Sequence, residues 1–289
     1  MPNGPKNQIA KLRWPRLTTS LLVSALLLSG CTRVGPSLET YSDVADRARQ
    51  DPQSFVLEAH SRWNNLLGMV GSYQIRSSQG VGSQTMNTQI YLLRDRFLDI
   101  QVLAPTGSTE AYLVAGESEV GFWASDENRL YKGPSHPGEF GRALGINLSP
   151  AAVVAVLMGY GVDIGSGDHL SVQWDETVQR IRVTLAETSA WLHPVSGRFE
   201  RVLVRTASGL IEIEYEAWSE VGPPVPLRMR VEVPTEDITL ELRLAAAWQS
   251  NPKGLDKTYF DVYPVSGAVD APLSLLQAKG GLLRRGLSR

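Results

Sequence analysis

Leu210-Ile211-Glu212-Ile213-Glu214-Tyr215-Glu216-Ala217 alternates between apolar and acidic side chains. A period of two places Ile211, Ile213, Tyr215 and Ala217 on one face of a strand and the three glutamates on the other, the pattern of an antiparallel sheet with one dry and one wet face. The alternation recurs with Ile181, Val183 and Leu185 against Arg180, Arg182 and Thr184. It recurs again with Met229, Val231 and Val233 against Arg228, Arg230 and Glu232, and with Ile238, Leu240, Leu242 and Leu244 against Thr239, Glu241 and Arg243. Earlier strands are expected near 69–77, 85–94, 96–103, 110–116, 119–124 and 129–132, separated by turn residues such as Gly80, Asp95, Gly107 and Gly116. The expected fold is mainly β with helices (α+β): a curved antiparallel half-barrel of about eleven to twelve strands with helices covering its concave face.

One long interruption supplies that cover. Residues 135–160 carry Phe140, Leu144 and Ile146, then Ser149 as a cap, Pro150 at a first helical position, and the apolar run Ala151 to Met158 before Gly159. A helix without a polar face is buried on most sides. A second helix is expected from Pro52 to about Leu67, capped by Asp51, with Phe55, Val56, Ala59, Trp63, Leu66 and Leu67 on one face and Gly68 ending it.

The first thirty residues differ in kind. Lys6, Lys11, Arg13 and Arg16 precede an apolar run centred on Leu21 to Leu28, too short to span a bilayer of about 30 Å as a helix, so the segment reads as a secretory signal peptide rather than a transmembrane anchor. Leu28-Ser29-Gly30-Cys31 resembles the lipobox of bacterial lipoprotein precursors. That resemblance implies diacylation of Cys31, cleavage before it and, because Thr32 rather than Asp follows, residence on the periplasmic face of an outer membrane. Cys31 is the only cysteine, which leaves an exported chain without a disulfide. Removing residues 1–30 moves the net charge from -2 to -6, against nucleic-acid binding. Residues 31–50 read as a lipidated tether, 51–265 as the folded domain and 266–289 as a flexible basic tail ending Leu282-Leu283-Arg284-Arg285-Gly286-Leu287-Ser288-Arg289, with Asn251 to Tyr263 able to add one strand.

The order helix, six strands, apolar helical insertion, further strands is similar to the LolA/LolB superfamily of bacterial lipoprotein carriers and receptors. The stretch Ala104-Pro105-Thr106-Gly107-Ser108-Thr109-Glu110 resembles a turn of the outer-membrane receptor, followed by Arg129-Leu130-Tyr131, an Ala-Leu-Gly-Ile helix at 143–146 and the helix Leu148 to Gly159. The resemblance implies a half-open barrel whose apolar cavity accepts acyl chains of lipidated cargo passed on by a periplasmic carrier, with the protein a monomer held on the membrane by its N-terminal lipid. Trp123, Val153, Val156, Leu157, Ile181, Val183, Ile211, Ile213, Tyr215 and Leu240 are the candidate lining residues. The same residues would equally fill a solid core. The turn Pro105-Thr106-Gly107 is the counterpart of a membrane-facing turn that carries leucine in the receptor; threonine gives up about 1–2 kcal/mol of insertion energy.

Nothing in the sequence supports enzyme chemistry. His60, His136, His169 and His193 lack metal-ligand spacing, there is no Gly-x-Ser-x-Gly elbow or phosphate loop, and Gly165-Ser166-Gly167-Asp168 reads as a turn. Glu212, Glu214 and Glu216 form a solvated strand face. No cofactor is expected. The rival reading is an envelope assembly lipoprotein with a solid core that binds a protein partner, and a cavity above roughly 300 Å³ separates the two.

Overall fold

The computed structural model describes residues 41–161, 170–245, 248–276 and 281–284. The leader, the lipobox residues Leu28, Ser29 and Gly30, and Cys31 lie outside the described residues. Among those residues no helix is long and apolar enough to cross a membrane.

Fifteen strands form one open, curved sheet: β1 (Gly68–Gln79), β2 (Gly82–Leu93), β3 (Phe97–Leu103), β4 (Thr109–Ala115), β5 (Glu119–Ala124), β6 (Arg129–Pro134), β7 (Ser171–Asp175), β8 (Arg180–Leu185), β9 (Thr188–Leu192), β10 (Phe199–Thr206), β11 (Gly209–Trp218), β12 (Pro226–Val233), β13 (Ile238–Leu244), β14 (Gln249–Ser250) and β15 (Val269–Pro272). Their order is β15-β6-β5-β4-β3-β2-β1-β13-β12-β11-β10-β9-β8-β7, with β14 beside β1. Pairing is antiparallel except between β15 and β6, which run parallel. The α+β half-barrel is therefore as expected, with more strands than the alternation revealed. In β10 a register shift between Phe199 and Arg201 breaks the period of two, and β7, β9, β14 and β15 are each five residues or fewer.

Among the described residues four α-helices accompany the sheet: α1 (Tyr41–Gln50), α2 (Pro52–Trp63), α3 (Pro137–Leu144) and α4 (Pro150–Met158). α2 starts as expected, with the Asp51 carboxylate accepting from Ser54 N at 3.2 Å and Pro52 in the first turn. It stops at Trp63, well before Gly68, which opens β1. Residues 41–50 are a helix rather than part of a tether. Val44, Ala45 and Ala48 make a narrow buried stripe that small side chains hide from a hydropathy reading. The expected helix at 143–146 is the end of α3, which terminates at Leu144 because Gly145 takes a left-handed φ of 91°.

Both faces of the sheet are used, so its strands are one-sided only in the second half of the chain. On the inner face a large apolar cluster joins all four helices to β1–β6 and β8–β13. There Arg201 pairs with Glu212 at 2.6 Å across the opposite, solvated face. In the first half, Phe97, Tyr112, Val114 and Leu130 point outward and are sealed by a strap, residues 252–268, that packs Phe260, Val262 and Tyr263 on them. The strap comes so close that a Cβ on Gly121 would lie 2.6 Å from Val262 Cγ1. The expected strand at 251–263 is this strap, containing a single 3-10 turn at Lys257–Phe260.

The C-terminal segment is likewise part of the fold where it is described. β15 edges the sheet, and Leu282 and Leu283 are buried in the inner cluster. Leu282 N donates to Ala143 O at 2.8 Å and Leu283 N to Leu144 O at 3.0 Å, satisfying carbonyls at the end of α3 that have no intrahelical partner. A basic tail reads as flexible by composition, but burying a leucine pair outweighs two or three nearby charges. The remainder, 277–280 and 285–289, lies outside the described residues.

Candidate functional site

α4 is laid against the inner face. Ser149 Oγ accepts from Ala152 N at 3.1 Å, Pro150 occupies the first turn, and Gly159 ends the helix with φ 80° while its N–H reaches Ala155 O and Val156 O. Gly159 is required twice over: the left-handed backbone excludes a side chain, and a Cβ there would sit 2.6 Å from Trp218 Cζ3. From Val153 to Met158 every side chain is buried. The helix carries no charge, so its contacts are dispersion and apolar burial, with one polar tie, Tyr215 Oη to Val156 O at 3.1 Å. Burial moves the Tyr215 phenol far above its ordinary range, so this hydroxyl stays a donor.

Nine of the ten expected lining residues are buried on the inner face. Val153, Val156 and Leu157 on α4, Ile181 and Val183 on β8, Ile211, Ile213 and Tyr215 on β11, and Leu240 on β13 belong to one buried cluster. They pack together as core. Trp123 does not join them. In β5 the side chains of Val120, Phe122 and Ala124 face inward, so the period of two sends Trp123 to the outer face, where it stacks on Tyr112 with ring centres 6.0 Å apart.

An open cavity of about 450 Å³ lies elsewhere, at one rim of the half-barrel. Its wall is the glycine-rich side of α3 (Gly138, Gly141, Gly145), its apolar floor Ile146 and Leu276, and its polar edge Arg142, Asn147, Ser208, Glu236 and Arg284. Arg284 forms an ion pair with Glu236 and donates to Gly145 O at 2.7 Å, and burial pulls its guanidinium pKa down. Arg142 donates to Ser274 O at 2.9 Å. The cations here are thus occupied by the protein. Sequence reading missed this cavity because its walls come from α3, two hairpin turns and the C-terminal segment, four places with no common motif.

The strand ladder fixes which turns share that rim. β1 pairs β2 from Gln79–Gly82, β10 pairs β11 up to Thr206–Gly209 and β12 pairs β13 up to Val233–Ile238, so the turns closing these hairpins, together with 104–108, stand at the cavity end. Pro105, Thr106 and Gly107 are exposed in the last of these. Gly107 N donates to Ala104 O at 2.8 Å, and Thr106 Oγ1 lies 3.1 Å from Ser108 Oγ. Gly107, at φ 86°, would meet nothing with a Cβ, so the turn projects freely. No cluster of three or more His, Cys, Asp or Glu suited to a metal occurs among the described residues.

The molecule is thus an open half-barrel closed over apolar helices, the architecture that the LolA/LolB resemblance implies. No protein-family model and no curated protein matches the sequence. Among solved structures, a DUF1329 family protein from Desulfovibrio piger is similar with a TM-score of 0.52 and 11% identity, over 74% of this chain and 97% of that one. A LolA superfamily protein from Nitrosomonas europaea aligns with a TM-score of 0.47 and 11% identity over 73% and 97% of the two chains. A putative outer membrane lipoprotein-sorting protein domain from Vibrio parahaemolyticus gives 0.48 and 11% over 72% and 95%. At 11% identity the likeness to the first of these is one of fold alone.

Proposed function

We propose that this chain is a non-enzymatic lipoprotein of the bacterial envelope that binds acyl chains of lipidated cargo at the inner face of its half-barrel. The observation that carries the reading is α4: an uncharged helix, flanked by Ser149 and the left-handed Gly159, occupies the hollow of the sheet with one polar tie to a strand. Displacing it would expose apolar inner surface of β2 and β3, the strands it packs on, into which an alkyl chain transfers at roughly 0.8 kcal/mol per buried methylene. The rim cavity of about 450 Å³, floored by Ile146 and Leu276, is the place where we expect an acyl chain to enter. Cys31 carries the protein's own lipid after residues 1–30 are removed, the protein acts as a monomer on the periplasmic face of the outer membrane, and a periplasmic carrier delivers the cargo.

A second reading has its own support. The nine inner residues are buried against one another, as in a solid scaffold whose partner is a protein. Native mass spectrometry of the chain starting at Thr32, incubated with a triacylated lipopeptide or its deacylated control, separates the two. Acyl-dependent adducts weakened by Ile146→Arg are expected for the carrier. Equal absence of both adducts would sink it in favour of the scaffold.

A further inference from the structure

The other rim is built differently. α1 and α2 run across it and tie the turn tips together: Tyr41 Oη donates to Gln179 O at 3.4 Å, Arg62 Nη1 to Ser196 O at 2.8 Å and Trp63 Nε1 to Pro224 O at 3.1 Å. Arg94 N bonds Leu67 O at 2.7 Å, adding the β2–β3 turn to the same platform. On these elements stand five large apolar side chains in water: Leu57 on α2, Leu67 before β1, and Val178, Val195 and Val221 on three successive hairpin turns, Val221 being 84% exposed. Valine at a turn tip gains nothing from the turn, whose φ and ψ favour Gly, Asn, Asp or Ser; the cavity end also carries exposed valines, Val81 and Val269, but among the described residues only this rim sets five exposed apolar side chains on the elements that α1 and α2 tie together.

We infer that this rim, carrying Leu57, Leu67, Val178, Val195 and Val221, rests on the lipid bilayer to which the protein is anchored. The inference rests on the lipid anchor at Cys31 proposed above. Three further observations select a bilayer as the occupant. The described chain enters at Tyr41 on this same rim, and the ten residues from Cys31 to it reach at most about 35 Å when fully extended, so this end is the one held near the membrane. The apolar groups are spread over separate tips rather than joined in a groove, which suits shallow insertion between headgroups and not a shaped protein ligand. Several of the charges beside them are paired within the protein, Arg49 with Asp46 at 2.8 Å and with Glu176 at 3.3 Å, and Arg62 with Glu58 at 2.9 Å. With both of these cations paired, contact rests mainly on the apolar groups and fits a neutral phospholipid surface, largely indifferent to salt.

The arrangement reverses the expectation carried by the turn at 105–107. With the α1–α2 rim on the bilayer, that turn and the rim cavity point away from the membrane, towards material arriving through the periplasm. The hydroxyls of Thr106 and Ser108 suit that wet setting.

Cys31 is the only native thiol, so once it is lipidated a single introduced cysteine can be labelled with an environment-sensitive fluorophore. The test places the label at Val195→Cys, Val221→Cys, Thr106→Cys or Val81→Cys in protein reconstituted on phosphatidylcholine vesicles with a lipid-borne quencher. Labels at 195 and 221 are expected to shift to the blue and lose at least half their emission, unchanged by 0.5 M salt, where the Debye length falls to about 4 Å, while those at 106 and 81 stay aqueous. Quenching at 106 with 195 and 221 aqueous, or aqueous emission at all four, overturns the inference. Mass analysis of the first residue reports separately on the anchor. If Cys31 bears no lipid, the same labels in a chain starting at Thr32, with Cys31 replaced by a histidine tag bound to nickel-chelating lipid, still decide which rim meets the bilayer.

Discussion

The hydroxyl of Ser77 on β1 donates to the carbonyl of Leu283 at 3.1 Å, inside the protein, joining the first strand of the sheet to the C-terminal segment. Ser77 is fully buried and Leu283 nearly so. A strand residue that reads as polar filler and a tail residue that reads as disordered are therefore partners in one core.

Leu283→Ala should lower the stability of the folded chain by about 2–4 kcal/mol, the usual cost of opening a cavity in a packed core. Urea unfolding followed by tryptophan fluorescence measures it. A loss below about 0.5 kcal/mol, the level of an ordinary surface substitution, would return the segment to the status of a loose tail.

Tyr215→Phe removes the polar tie between β11 and α4. Val156 O keeps the Gly159 N–H as a partner, so the loss should be only about 1 kcal/mol. Hydrogen exchange in α4 should speed up more than in β11. Equal change in both elements would show that the bond does not control the helix.

Asp99 lies on the outer face of β3 beneath the strap, where burial pushes its pKa from 3.8 up to about 6 despite the hydrogen bond from Gln101. The folded state thus holds this proton more tightly than the unfolded chain. Stability from this group is full below about pH 4 and is lost as pH rises through about 6, in total on the order of 3 kcal/mol. Asp99→Asn should raise the urea midpoint at pH 7.5 and flatten its dependence between pH 4 and 7. An unchanged pH profile would contradict the assignment.

Gly121→Ala should loosen the strap, since the new methyl would lie 2.6 Å from Val262. Limited proteolysis is expected to cut within 252–268 several-fold faster than in the parent, with the β1–β4 hairpins intact. A parent-like cleavage pattern would mean that the strap shifts to accept the methyl.

Much of this architecture was legible in the sequence. Alternation in β8, β11, β12 and β13 gave the inner and outer sets correctly because one face there is wet. The Ser149-Pro150 start and Gly159 stop of α4 were readable because capping is local chemistry. Trp123 was misplaced because both faces of β5 are buried, and hydrophobicity alone then cannot say which way a side chain points. The strap and the Leu282-Leu283 pair escaped for another reason: their partners lie far away in sequence, and nothing within the segments announces them. The rim cavity is the same problem in concentrated form, since Ile146, Ser208, Glu236 and Arg284 meet only after the sheet has curved.

The contact between Ser77 and Leu283 also spans 206 residues. Loops of that length must close before the first strand finds its final partner, and high contact order slows folding. A fragment stopping before Gly281 would hold the hairpins of β1–β4 yet leave Ser77 and the end of α3 unsatisfied. The rate of reaching the native state should therefore depend on the C-terminal segment, and a folding chain would spend its longest waiting time with the inner face still accessible to chaperones.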